Sequence, residues 1–113
     1  IRQFQLAKAA IRTGQILLQI RTGVTNEQID SILLAGAFGN YIRKQSAMRV
    51  GLLPDIPLER IHFIGNAASS GAEMILLNRN CRTTAAKLAD KIEYIEIANE
   101  PKFNDVYTDC LMF

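Results

Sequence analysis

Two glycine-bearing turns are the residues of this sequence best suited to chemistry. Leu33-Leu34-Ala35-Gly36-Ala37-Phe38-Gly39-Asn40 leaves an apolar stretch through two glycines three residues apart. Missing side chains at such a turn let backbone approach a flat or anionic ligand closely. In open α/β sheets, ligands settle at the C-terminal ends of parallel strands. A tight turn with no ligand uses the same spacing. Neither nucleotide fingerprint is met: the first Gly-x-Gly of the dinucleotide motif is missing, and no Gly-Lys-Ser/Thr occurs. Gly65-Asn66-Ala67-Ala68-Ser69-Ser70-Gly71-Ala72 is the second unit, again a strand running into a helix. Small residues at 67, 68, 71 and 72 leave one helix side nearly bare. Tight packing is the plainer use of that side. Lining a hinge or a nucleotide cleft is the functional one, and a helix N-terminus favours anions.

Other polar residues offer less. His62 is the only histidine; in Ile61-His62-Phe63-Ile64 it alternates with apolar neighbours, on a strand face or edge, with no ligand constellation nearby. Asp55 and Glu59 flank Pro57 in a loop where solvent exposure is the default, and no general acid/base pair emerges. Tyr41 can stack on a base or pack under the glycine loop, packing being the plainer use. Arg43, Lys44 and Arg49 read as a solvated helix face. A net charge of +2 is too small to argue for nucleic acid or an anionic membrane. Cys81 and Cys110 lie far apart without a Cys-x-x-Cys partner, which points to free thiols in a reducing cytoplasm. No apolar run reaches the ~18 residues that span a bilayer.

The elements that must position the turns follow from periodicity. Residues 3–21 are helical, with Phe4, Ala7, Ala10, Ile11, Leu17 and Leu18 on one apolar side and Gly23 as the stop. Residues 25–30 form a short capped turn, and 31–35 a buried strand ending at Gly36. A second helix covers 44–50, stopped by Gly51, Pro54 and Pro57. Residues 61–64 are the next strand, followed by a helix capped by Asn66 and reaching Asn78. A helix over 83–91 leads into a strand over 93–98. A terminal helix over 101–110 shares Phe103, Val106 and Tyr107 on its buried side.

The expected fold is therefore α/β, in the order α-β-α-β-α-α-β-α, with a short, mainly parallel sheet covered by helices. Its 113 residues suit one domain, about half apolar and a fifth charged, as in ordinary globular proteins. Three strands are few for a free-standing parallel sheet, so a partner subdomain or a dimer is expected. The start at Ile1 suggests a fragment of something longer.

Three blocks carry a family resemblance: Leu34-Ala35-Gly36-Ala37-Phe38-Gly39-Asn40-Tyr41, then Ser46-Ala47-Met48-Arg49-Val50-Gly51-Leu52-Leu53-Pro54, then Gly65-Asn66-Ala67. In this order they resemble the C-terminal part of the ATPase domain in reductive activators of corrinoid proteins. That family pairs an N-terminal [2Fe–2S] ferredoxin-like domain with an ATPase of the actin, hexokinase and heat-shock chaperone superfamily, whose fold is ribonuclease-H-like. The resemblance implies that residues 1–113 are the C-terminal nucleotide-binding lobe of an ATP-dependent, electron-transferring activator. It implies ATP with Mg2+ as cofactors of the intact domain, a corrinoid protein as partner and a homodimer through the ATPase domain. Gly36, Ala37, Phe38, Gly39 and Asn40 would form the adenosine-side loop. Gly65, Asn66, Ala67 and Gly71 would belong to the helix connecting the two lobes.

One departure matters. The superfamily loop more often reads Gly-Gly, and the methyl of Ala37 narrows the approach there. The superfamily's phosphate-binding hairpins, its metal-organising carboxylates and the ferredoxin cysteine cluster have no counterpart in this chain. The segment is expected not to hydrolyse ATP alone, and neither nucleic acid nor membrane is expected as a partner. An alternative from another class stays open: a dimerisation or partner-docking module that binds no nucleotide itself.

Overall fold

A computed structural model describes residues 1–37 and 41–113. Its described elements are α1 (Arg2–Thr22), β1 (Ile32–Ala35), α2 (Lys44–Arg49), β2 (Ile61–Gly65), α3 (Ala67–Leu77), α4 (Arg79–Ala89) and α5 (Phe103–Leu111). Short 3-10 turns span Asn26–Gln28, Leu58–Arg60 and Ile97–Asn99. The two strands pair in parallel as a two-stranded sheet. The chain divides into two compact units: Ile1–Ile32, Ile42–His62 and Glu96–Phe113 in the first, Leu33–Tyr41 and Phe63–Ile95 in the second. The division falls inside both strands.

In the first unit α1 packs along α5. Ala9, Leu17, Ala47, Leu53, Ile56, Ile61 and Cys110 are its buried apolar residues. Complete burial of a side chain such as Ile61 contributes roughly 1.5–3 kcal/mol. Gly23 ends α1 as expected, at φ 69, with its N–H returned to the Gln19 carbonyl. Gln15 Nε2 donates to Leu52 O at 3.2 Å and ties α1 to the turn after α2. Phe103 and Tyr107 stack with ring centroids 5.7 Å apart, and with Val106 and Cys110 they form the inward side of α5, as the periodicity indicates.

The buried side of α1 is not the expected one. Phe4, Ala7, Ala10, Ile11 and Leu18 are exposed, while Lys8, Ala9, Thr13 and Leu17 are buried. This helix carries apolar residues on more than one side, and the small Ala9 and Thr13 face inward, where a second helix approaches closely. At Gly14 the approach is tight enough that an added Cβ would come 3.3 Å from Ile97 Cδ1.

The strand expected over 93–98 is absent: residues 92–96 are irregular and Ile97–Asn99 is a 3-10 turn. The run is apolar enough for a strand, but a strand needs a neighbour to pair with. Ile97 is instead spent on Gly14 of α1.

In the second unit α3 and α4 form a helical hairpin broken at Asn78. Asn78 ends α3 and also caps α4, its Oδ1 accepting from Asn80 N at 2.8 Å, so α4 begins four residues before the expected start at 83. β1 was expected to be buried; it alternates instead, with Leu33 59% exposed and Ile32 and Leu34 half-buried. In β2, His62, Phe63 and Ile64 are exposed in succession. No described helix is long and apolar enough to cross a membrane.

Candidate functional site

Both glycine turns sit where the sequence puts them, at the C-terminal ends of the paired strands. Gly36 follows β1 with φ 84 and Gly65 ends β2 with φ 65, a region that disfavours any residue with a Cβ. Gly36 N–H donates to Gly65 O at 2.7 Å, so the two turns lie side by side. Among the described residues, an added Cβ at either glycine would meet no atom within 4 Å.

Asn66 follows immediately and caps α3 as expected, its Oδ1 accepting from Ser69 N at 3.2 Å. Ser70 Oγ adds a bond to Asn66 O at 3.3 Å. With the oxygen committed to the cap, the Asn66 side-chain NH2 remains an available donor among the described residues. Ala67 is half-buried at the start of α3. Ala37 is exposed beside Gly36. Phe38, Gly39 and Asn40 lie outside the described residues.

Gly71 is elsewhere. With Met74, Ile75, Cys81, Thr84, Ala85 and Leu88 it lines a mostly apolar cleft of about 240 Å3 between α3 and α4. The small side of α3 therefore serves helix packing in part: Ala67 and Gly71 are half-buried, Ala68 and Ala72 exposed. Tyr41 is 87% exposed and packs under nothing among the described residues. His62, Asp55 and Glu59 are exposed. Both cysteines are free, Cys81 half-buried and Cys110 buried.

Sequence reasoning missed Arg60, the residue just before β2. Its Nη1 donates to Glu27 O at 3.1 Å and to Ile29 O at 3.0 Å, the carbonyls that lead into β1. No short motif signals such a contact, because its partners are backbone atoms far off in sequence.

All 113 residues match the family described as the C-terminal domain of RACo, the ASKHA domain. The chain belongs to that family. A corrinoid activation enzyme, RamQ of Eubacterium limosum, is 40% identical over the whole chain. A Methanosarcina barkeri protein named as the reductase of a Co(II) methylated amine-specific corrinoid protein is 26% identical over 103 residues, 89% of the chain. Among solved structures, a reductive activator for corrinoid, iron-sulfur protein superposes with a TM-score of 0.90 and 31% identity over 97% of the chain. The chain spans 19% of the length of each of the two sequence relatives and 18% of the solved structure. The α/β ASKHA fold expected from the three sequence blocks is thereby established.

A nucleotide of the kind this ATPase family implies can be tested against the residues present. The adenosine side fits, since Gly36 and Gly65 offer backbone with no described atom where side chains would stand. An iron–sulfur cluster does not fit this segment. No three His, Cys, Asp or Glu residues cluster among the described residues. Two cysteines also fall short of the four thiolates that a [2Fe–2S] cluster takes.

Proposed function

We propose that this chain is the C-terminal nucleotide-binding lobe of an ATP-dependent reductive activator of a corrinoid protein. Residues 1–113 act in it as one lobe of a longer protein. The Gly36–Gly65 turn pair receives the adenosine side of ATP, with Ala37, Phe38, Gly39 and Asn40 completing the loop. Gly65, Asn66, Ala67 and Gly71 belong to the helix that connects to the second lobe, and the Asn66 NH2 is a donor beside Gly65. Bound ATP supplies free energy that shifts the population toward a complex competent for electron transfer. In that complex one electron reduces Co(II) of the corrinoid partner to Co(I). The cluster that carries the electron and the Mg2+ that accompanies the phosphates belong to other parts of the activator. The setting is the cytoplasm, which suits two free thiols.

The observation that carries this reading is the 2.7 Å bond from Gly36 N to Gly65 O, with no described atom where either glycine's side chain would stand. The relatives' names support the corrinoid partner. The test is titration of the intact protein with Mg-ATP, alongside absorbance detection of Co(I) in a corrinoid protein. Saturable binding is expected, with Gly36→Val and Gly65→Val losing both ATP binding and ATP-dependent Co(I) formation. No saturation in the wild type, or full activity in both variants, overturns it.

A second reading is carried by a different observation. Met74, Leu76 and Leu77 on α3 are exposed, Leu77 by 84%. Large apolar side chains left exposed on one helix support a homodimer through the ATPase domain or docking without nucleotide. Sedimentation of the intact protein tests it: a dimer that Leu77→Glu dissociates is expected, and a concentration-independent monomer overturns it.

A further inference from the structure

Parallel strands have no hairpin to set their register, so something else must. Here the described contact lies at the strand entrances. The 3-10 turn Asn26–Gln28 precedes β1, with Ile29 as its C-cap. Arg60 closes the 3-10 turn Leu58–Arg60, one residue before β2. Its Nη1 carries two hydrogens and spends one on Glu27 O, at 3.1 Å, and one on Ile29 O, at 3.0 Å. The next residue, Ile61, is completely buried, so β2 is held at its first position by packing as well.

We propose that Arg60 is a positioning residue for the nucleotide turns: by fastening the entrance of β1 to the entrance of β2, it sets the strand register that pairs Gly36 with Gly65. β1 has four residues and β2 five, and the Ile29 carbonyl held by Arg60 lies seven residues before Gly36. A one-residue slip turns every side chain to the opposite face. It also separates Gly36 N from Gly65 O. The nucleotide part of this assignment rests on the function proposed above; the register part does not.

Hydrogen exchange of the intact protein, followed at the Gly36 amide, reads the register without any ligand. In Arg60→Met, which keeps the aliphatic stem and loses both bonds, Gly36 protection is expected to fall by about tenfold or more while amides of α1 and α5 keep theirs. Arg60→Lys, whose ammonium can reach the same carbonyls, is expected to restore part of it. Unchanged Gly36 protection in Arg60→Met, or an equal loss in α1 and α5, overturns the proposal. Mg-ATP titration of the same variants separates the two parts. Weaker binding in Arg60→Met with partial recovery in Arg60→Lys supports positioning for nucleotide, and unchanged binding overturns it. If the wild type binds no ATP while Gly36 protection still depends on Arg60, the nucleotide positioning falls with the proposed function and the register role stands.

Discussion

Lys8 Nζ, on α1, donates to the backbone carbonyl of Met112 at the end of α5, with the Phe113 ring 5.0 Å away. α5 has no basic residue in its last turn, so the cation that complements its C-terminus comes from another helix. Lys8 is only 2% exposed, its stem packed like an apolar side chain. Lys8→Met keeps the stem and removes the charge. That leaves a carbonyl without its donor and is expected to cost about 1–3 kcal/mol. Urea unfolding of the protein measures it, and an unchanged midpoint contradicts the role given to Lys8.

Thr13 predicts the opposite sign. It is fully buried on α1, and its Oγ1 has no hydrogen-bond partner among the described residues. An unsatisfied buried hydroxyl opposes folding. Thr13→Val preserves the shape and removes the polar atom, and is expected to stabilise by about 1 kcal/mol. Thermal unfolding should show a raised Tm. A lowered Tm would mean that the hydroxyl has a partner.

Glu27 gives the pH dependence. A hydrogen bond from the Thr25 side chain, followed by one from its own backbone N–H, holds its carboxyl below the ordinary glutamate range, with slight burial opposing. Because the folded-state pKa is depressed, the stabilisation is fully present above the unfolded-state value. It is lost as pH falls through the folded-state value. Thr25→Val is expected to raise the Glu27 pKa toward its ordinary value. An NMR titration of the carboxyl carbon reads this directly, and an unmoved midpoint rules out the Thr25 contribution.

These relationships differ in how far the sequence reveals them. Gly23, Gly36 and Gly65 were legible because a stop or turn demands a local conformation, and Asn66 because a cap acts three residues away. The same locality made α3 and α5 readable. The inward side of α1 was not readable, because the side an amphipathic helix buries is chosen by its neighbours. Nor was the missing third strand: the apolar content of 93–98 is a local signal, whereas a ladder needs a partner elsewhere. Arg60 and Lys8 escaped for the same reason, since both bind backbone carbonyls remote in sequence.

Positive-φ glycines allow a matched comparison. Gly23 ends α1 at φ 69, and Gly36 turns at φ 84, each with no described atom within 4 Å of an added Cβ. Strain alone should make Gly23→Ala and Gly36→Ala cost similar amounts, about 1–2 kcal/mol each by urea unfolding. Only Gly36→Ala lies in the proposed nucleotide site. Mg-ATP affinity is therefore expected to fall in Gly36→Ala and to hold in Gly23→Ala. Equal affinities in the two variants would remove Gly36 from the site.

Asn66 combines both kinds of work, and substitutions can divide them. Its Oδ1 satisfies the Ser69 N–H, one of the donors that α3 leaves open at its N-terminus. Asn66→Ala is expected to cost about 1 kcal/mol through loss of this cap. Asn66→Asp keeps an accepting oxygen at the same place, so thermal stability should stay near that of the wild type. It replaces the NH2 donor with a second acceptor, however, and adds negative charge beside Gly65. If the NH2 donates to the nucleotide, Asn66→Asp binds Mg-ATP more weakly although its fold is unimpaired. Affinity that tracks thermal stability through both variants would instead confine Asn66 to capping α3.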